Sequence, residues 1–142
     1  MSGKAAILAG VCGVGLLFVT AWNAYAHHAF GAEFDPNRPV LLKGPVVRVE
    51  WINPHTWIHL DVKTPKGTVE RWMIEGGPPN ALYRAGWRKD SLKVGDALTV
   101  NGYLARDGSK LANMRNAIFP DGREVFGGQQ YYSPTVPKPK GH

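Results

Sequence analysis

Two histidines stand side by side at His27-His28, and two more, His55 and His59, lie four apart in a stretch that alternates apolar and polar residues. Neutral imidazole is a ligand for copper, zinc and nickel, so these rings are the residues best suited to chemistry. Just ahead of the first pair, Ala24-Tyr25-Ala26 has the small-x-small form that signal peptidase cuts. Cleavage after Ala26 would make His27 the first residue, and its free α-amine and ring nitrogen could then chelate a cation. A further imidazole from His28, His55 or His59 would complete an all-nitrogen set suited to Cu(II) in tetragonal geometry. Zinc is the alternative ion, because His and carboxylate ligands also suit it. A cut after Tyr25 would instead put His28 third, giving a square-planar copper or nickel chelate of amine, backbone amides and ring. The Ala-x-Ala pattern disfavours that cut.

Spacing ranks the candidates. His55, His59 and Asp61 fall on one face of an alternating strand, where residues two apart are separated by about 6.7 Å. His55 and His59 therefore make no easy pair, and the favoured set is the terminus at His27 with His28 and His55. His59 is the weaker candidate. The plainer reading is that His27 and His28 are ordinary polar residues, that His55 closes a turn after Asn53-Pro54, and that His59 is a partly buried ring beside Trp57.

The residues before His27 form an export signal in pattern. Lys4 is the only charge before Glu33, and residues 5–18 are all apolar or glycine. Residues 1–26 are expected to be a Sec-type signal peptide, directing the protein to the periplasm or the exterior. Retained as an anchor, residues 5–22 would sit at the short end of what spans a bilayer, and only then would the membrane be a partner. Removing residues 1–26 takes away Lys4 and Cys12, so the chain of net charge +6 loses one positive charge and its only cysteine. Disulfides and thiolate catalysis are then excluded.

Enzyme signatures are absent. There is no Ser-His-Asp order, no P-loop and no GxGxxG, and Glu33, Asp35, Glu50, Asp61 and Glu75 show no spacing that demands an acid–base pair. The expectation is a non-enzymatic periplasmic binding protein with no catalytic residues, binding a metal ion or another periplasmic partner. Two alternatives stay open: an adaptor that binds a partner or small ligand through an aromatic face carrying Trp57 and Trp87, and a copper oxidoreductase. The basic charge would suit nucleic acid, but export removes that partner, which leaves weak attraction to anionic surfaces.

Elements that must position these residues follow from patterning. An apolar content of 44% is enough for a core, while Gly 17 and Pro 11 favour short strands over long helices. After a turn cluster at residues 35–39, strands are expected at 40–52, 55–63, 68–75, 97–105 and 111–119, with a short helix at 81–85 between the third and fourth. Three strands, a helix and two strands is the order of a five-stranded antiparallel OB-like barrel, and a β-sandwich is the alternative. The expected organisation is a signal peptide at 1–26, a His-His segment at 27–39, the barrel at 40–126 and a Gly/Pro/Lys tail at 127–142.

Several short strings carry a resemblance: His27-His28-Ala29-Phe30, Leu42-Lys43-Gly44, Glu50-Trp51-Ile52-Asn53-Pro54-His55, Pro79-Asn80-Ala81-Leu82, Gly86-Trp87, Asp90-Ser91-Leu92-Lys93, Gly95-Asp96 and Asp121-Gly122-Arg123. Together they resemble a family of small exported bacterial proteins catalogued only as a domain of unknown function. The similarity covers most of residues 27–126. It implies export and an OB-like β-fold, and it brings no activity and no catalytic residues.

Overall fold

The computed structural model describes residues 30–128. The chain divides into two compact units, one ending at Ala32 and one beginning at Glu33, and every strand belongs to the second. That unit contains β1 (Phe34–Trp51), β2 (Thr56–Lys63), β3 (Val69–Glu75), α1 (Pro79–Arg84), β4 (Ala97–Ala105), β5 (Leu111–Ile118) and β6 (Glu124–Phe126). The protein is mainly β, and its six strands form one sheet in the order β3-β2-β1-β4-β5-β6. All neighbours in that order are antiparallel. A short parallel pairing of Met73, Ile74 and Glu75 with Leu111, Ala112 and Asn113 joins β3 to β5, bringing five strands round into a partly closed barrel. Closure of this kind leaves the apolar faces turned inward and few free edges outside.

β1 makes the closure by changing partners. Its first part pairs with β4, from Phe34 opposite Ala105 to Pro45 opposite Ala97, and its second part pairs with β2, from Val46 opposite Leu60 to Trp51 opposite Thr56. At the crossing point Gly44 lies so close to the Asp61 carbonyl that no side chain fits between the two backbones. The strand begins at Phe34 and not after the Asp35–Pro39 cluster expected to be a turn. The turn chemistry is present, since the Asn37 amide donates to Asp35 Oδ1 at 3.0 Å. It is absorbed in a register shift between Phe34 and Pro39, where prolines can be tolerated without a missing ladder bond.

β2 alternates as its sequence does. Thr56, Ile58 and Leu60 are buried, while His55, Trp57, His59 and Asp61 face the partly exposed outer side. The hairpin to β3 closes at Gly67, whose amide donates to the Thr64 carbonyl at 2.9 Å. The sequence pattern marks a turn at Pro120-Asp121-Gly122 and no separate strand after it. It extends the sheet beyond the five-stranded ring by pairing Val125 with Ala117.

Inside the ring Val46, Ile58, Leu60, Ile74, Leu98 and Val100 are all at most 1% exposed. Burial of such a side chain contributes roughly 1.5–3 kcal/mol each, which outweighs the exposed ion pairs on the outer face. Helix α1 contributes Leu82 to the core. Its C-terminus is a Schellman arrangement: Gly86 takes φ +96, its amide donates to the Tyr83 carbonyl at 3.2 Å, and the Trp87 amide donates to the Leu82 carbonyl at 3.0 Å. That turn drives Trp87 inward beside Leu82, and both are 0% exposed.

Candidate functional site

The outer face of β2 and β3 carries the chemistry-bearing side chains in cross-strand rows. Trp57 lies opposite Glu75, His59 opposite Met73 and Asp61 opposite Arg71, while Glu50 and Arg48 of β1 lie opposite Trp57 and His59. Opposed residues on one face stand near enough to interact directly.

His59 belongs to an ion cluster. Its Nε2 is 2.8 Å from Glu50 Oε2, and Arg48 Nη2 is 3.0 Å from the same carboxylate oxygen and 3.2 Å from the ring nitrogen. The ring is 13% exposed. The His59 hydrogen bond first, with Arg48 adding its charge, holds the Glu50 carboxyl below its usual range. A metal at Nε2 would have to displace that carboxylate.

His55 has a different setting. It precedes β2, after the cis peptide bond between Asn53 and Pro54. Its Nδ1 lies 3.1 Å from Glu75 Oε1, and its side chain is 35% exposed whereas that of Glu75 is 6% exposed. The Trp57 ring meets it edge-on, with centroids 6.3 Å apart. The start of β2 is itself pinned, since the Thr56 amide donates to the Gly77 carbonyl at 3.0 Å and the Gly76 amide donates to the Thr56 carbonyl at 2.8 Å. One imidazole is thus held between an indole on β2 and a carboxylate on β3.

The structure does not bring His55 and His59 together: four residues of extended chain separate them by about 13 Å, and each has its own carboxylate. Among the described residues no three His, Cys, Asp or Glu side chains form a group able to hold a metal by themselves. His27 and His28, the other expected ligands, lie outside the described residues, as do the export signal and most of the tail.

Of the two tryptophans expected on an aromatic face, Trp57 is half-buried on the outer surface and Trp87 is in the core. Trp87 presents no ring to a partner. Its Nε1 donates to the Phe126 carbonyl at 2.9 Å, and its ring makes T-shaped contacts with Phe119 and Trp51. Trp51 in turn stacks on Tyr83 with centroids 5.5 Å apart, so the aromatic cluster belongs to the packing of α1 against the barrel.

Glu75 is the site residue that pattern alone passed over. It looked like one of several unpaired carboxylates, yet it sits at an outward position of β3 and is 5% exposed. Parity of alternation gave the one available signal, because Trp72 and Ile74 take the inward positions and set Glu75 on the face of Trp57. Its burial depends on neighbours that only the tertiary fold supplies.

A family model, described as a family of unknown function (DUF6152), matches residues 15–114, well over half of the chain. The chain belongs to this family. No curated protein matches it. The DUF6152 match takes in β1, β2, β3, α1 and β4, and hence His55, Glu75 and His59, together with His27 and His28. It ends within β5, so β6 lies beyond it.

A groove of about 600 Å³ opens on another side of the barrel, lined by Pro36, Pro39, Leu41, Tyr103 and Arg115 among others. Among the described residues no histidine lines it. Among the described residues no helix is long and apolar enough to cross a membrane.

Proposed function

We propose that this DUF6152 member is an exported, non-enzymatic binding protein that holds Cu(II) through His27, His28 and His55. The observation that carries the reading is His55 itself: a partly exposed imidazole, gripped on one ring nitrogen by a nearly buried carboxylate and steadied by Trp57. Rings anchored in this way are the form in which proteins present histidine to metals. The other ligands of this reading, His27 and His28, lie outside the described residues. With Ala26 removed, His27 adds an α-amine, and four nitrogen donors suit tetragonal Cu(II) better than tetrahedral zinc. His59 stays with Glu50 and Arg48 in this reading.

The test begins with the exported protein, whose first residue is established by intact mass. Cu(II) is then titrated and followed by electron paramagnetic resonance. The expected result is one equivalent with nitrogen hyperfine structure, altered by His27→Ala, His28→Ala and His55→Ala. Spectra identical to wild type in all three variants would sink the proposal. Competition with zinc tests the choice of ion.

A further inference from the structure

We propose that the segment following α1, together with the loop between β1 and β2, is a docking surface for an anionic lipid bilayer. Residues 84–96 carry four bases, Arg84, Arg88, Lys89 and Lys93, against two acids, Asp90 and Asp96. All four bases are exposed. Packing sets their direction: Leu82, Trp87 and Leu92 join the core, and the bases between and after them face solvent. The inference stands apart from the copper reading, since it uses no histidine.

The bases of this segment keep their charge. On the rest of the barrel, Arg48, Arg71, Lys110 and Arg123 each sit within 3.0 Å of a carboxylate oxygen. Among the described residues none of Arg84, Arg88, Lys89 and Lys93 has such a partner. Arg88 Nη1 donates to the Tyr83 and Trp87 carbonyls at 3.1 and 2.5 Å, which fixes the guanidinium without neutralising it. Asp96 Oδ2 accepts from the Lys93 backbone amide at 2.8 Å and leaves the Lys93 ammonium free of it. Unneutralised bases gathered in one short segment create a positive potential that is complementary to a negative surface.

Charge alone suits any polyanion, and the apolar side chains beside it single out a bilayer. Trp51 stacks on Tyr83 with centroids 5.5 Å apart and makes a T-shaped contact with Trp87 at 6.3 Å. The end of β1 is thereby held against the residues that immediately precede Arg84 and Arg88. Ile52, next along the chain from Trp51, is 52% exposed, and Val94, next to Lys93, is 76% exposed. Exposed aliphatic side chains among bases, above a half-buried aromatic pair, match the headgroup region of a membrane. Long Lys and Arg stems keep their charges at the phosphates while such side chains enter the acyl boundary. A single-stranded nucleic acid would need open aromatic faces for base stacking, whereas Trp51 and Tyr83 cover one another.

Co-sedimentation of the exported protein with vesicles tests this, using equal parts phosphatidylcholine and phosphatidylglycerol against pure phosphatidylcholine. Binding to the anionic vesicles alone, released by added salt, is expected. Each base at the surface is expected to contribute roughly fivefold, so Arg84→Gln combined with Lys89→Gln should weaken binding about 20-fold. Ile52→Ser should weaken it roughly fivefold. Lys63→Gln combined with Lys66→Gln removes equal charge at the far end of β2 and should change binding less than about twofold. All five positions are exposed, and native circular dichroism checks each variant. No binding of wild type to the anionic vesicles would overturn the inference, as would equal losses in the two double variants. Binding that neither salt nor the Arg84→Gln, Lys89→Gln change reduces would assign the contact to residues 5–22 and overturn it too. Full retention by Ile52→Ser, or displacement from the vesicles by single-stranded DNA, would replace the bilayer with another polyanion.

Discussion

The indole N–H of Trp87 donates to the carbonyl oxygen of Phe126 across 2.9 Å, joining the segment after α1 to the last strand through the core. Trp87→Phe keeps an aromatic ring but leaves that carbonyl without its donor and opens a small void. The expected loss of stability is about 2 kcal/mol, within the range for an orphaned buried polar group. Trp87→Ala should cost more, roughly 3–5 kcal/mol. Urea denaturation measures both, and copper affinity of the folded Trp87→Phe protein should equal that of wild type.

Gly44 makes a second, steric prediction. A methyl group there would meet the Asp61 carbonyl well inside contact distance, at the point where β1 passes from β4 to β2. Backbone cannot yield as a flexible side chain can. Gly44→Ala is expected to fall at the upper end of the roughly 1–3 kcal/mol cost of overpacking, or to prevent folding. A melting temperature unchanged from wild type would contradict the crossing described above.

On the outer face, Arg71 sets Nε and Nη2 against the two carboxylate oxygens of Asp61 at 2.6 and 3.1 Å. This hydrogen bonding first, with the guanidinium charge adding to it, holds the Asp61 carboxyl below its ordinary value of 3.8. A carboxyl depressed in the folded state stabilises the fold above its unfolded pKa, and that contribution is lost as pH falls through the folded value. The stability gap between wild type and Asp61→Asn should therefore be fully open well above pH 3.8 and close as the pH drops below it. Added salt should narrow the gap, since the pair faces solvent. Urea midpoints at a series of pH values read the effect.

The two barrel histidines should respond differently to the same change. On the copper reading proposed above, His55→Gln is expected to weaken Cu(II) binding at least about tenfold, because it removes a proposed ligand. His59→Gln should leave affinity within about twofold, because its Nε2 is already bonded to Glu50 at 2.8 Å. Isothermal titration of both variants decides the point, and a larger loss in His59→Gln would reverse the assignment.

Much of the fold is legible from short-range pattern. β4 runs over Ala97–Ala105, as its alternation predicts, and β2 puts Ile58 and Leu60 inside with Trp57 and His59 outside. Such features depend on two-residue periodicity and on turn residues acting over a few positions. The candidate site is only half legible in the same way. His55 and Trp57 share a face by alternation, but the carboxylate that completes their contact comes from β3, and β3 reaches them only through the β2–β3 register.

Trp87 and Asp35–Pro39 show where local reading stops. A tryptophan after a glycine can point either way, and the Schellman turn at Gly86 turned it into the core. The Asp35–Pro39 cluster has turn residues and even a turn hydrogen bond, yet pairing with β4 drew it into a bulged strand. At the Asp35–Pro39 cluster a long-range pairing outweighed the local preference.

The sequence by itself determined the face of each strand, the hairpin turns and the supply of imidazoles, because these depend on residue type and near neighbours. Only the tertiary structure decided which carboxylate each imidazole meets. Glu50 took His59 and Glu75 took His55, since strand register sets those distances between residues far apart in the chain. That choice sets two chemically identical side chains in different surroundings, His55 beside a nearly buried carboxylate and His59 in a cluster with Glu50 and Arg48.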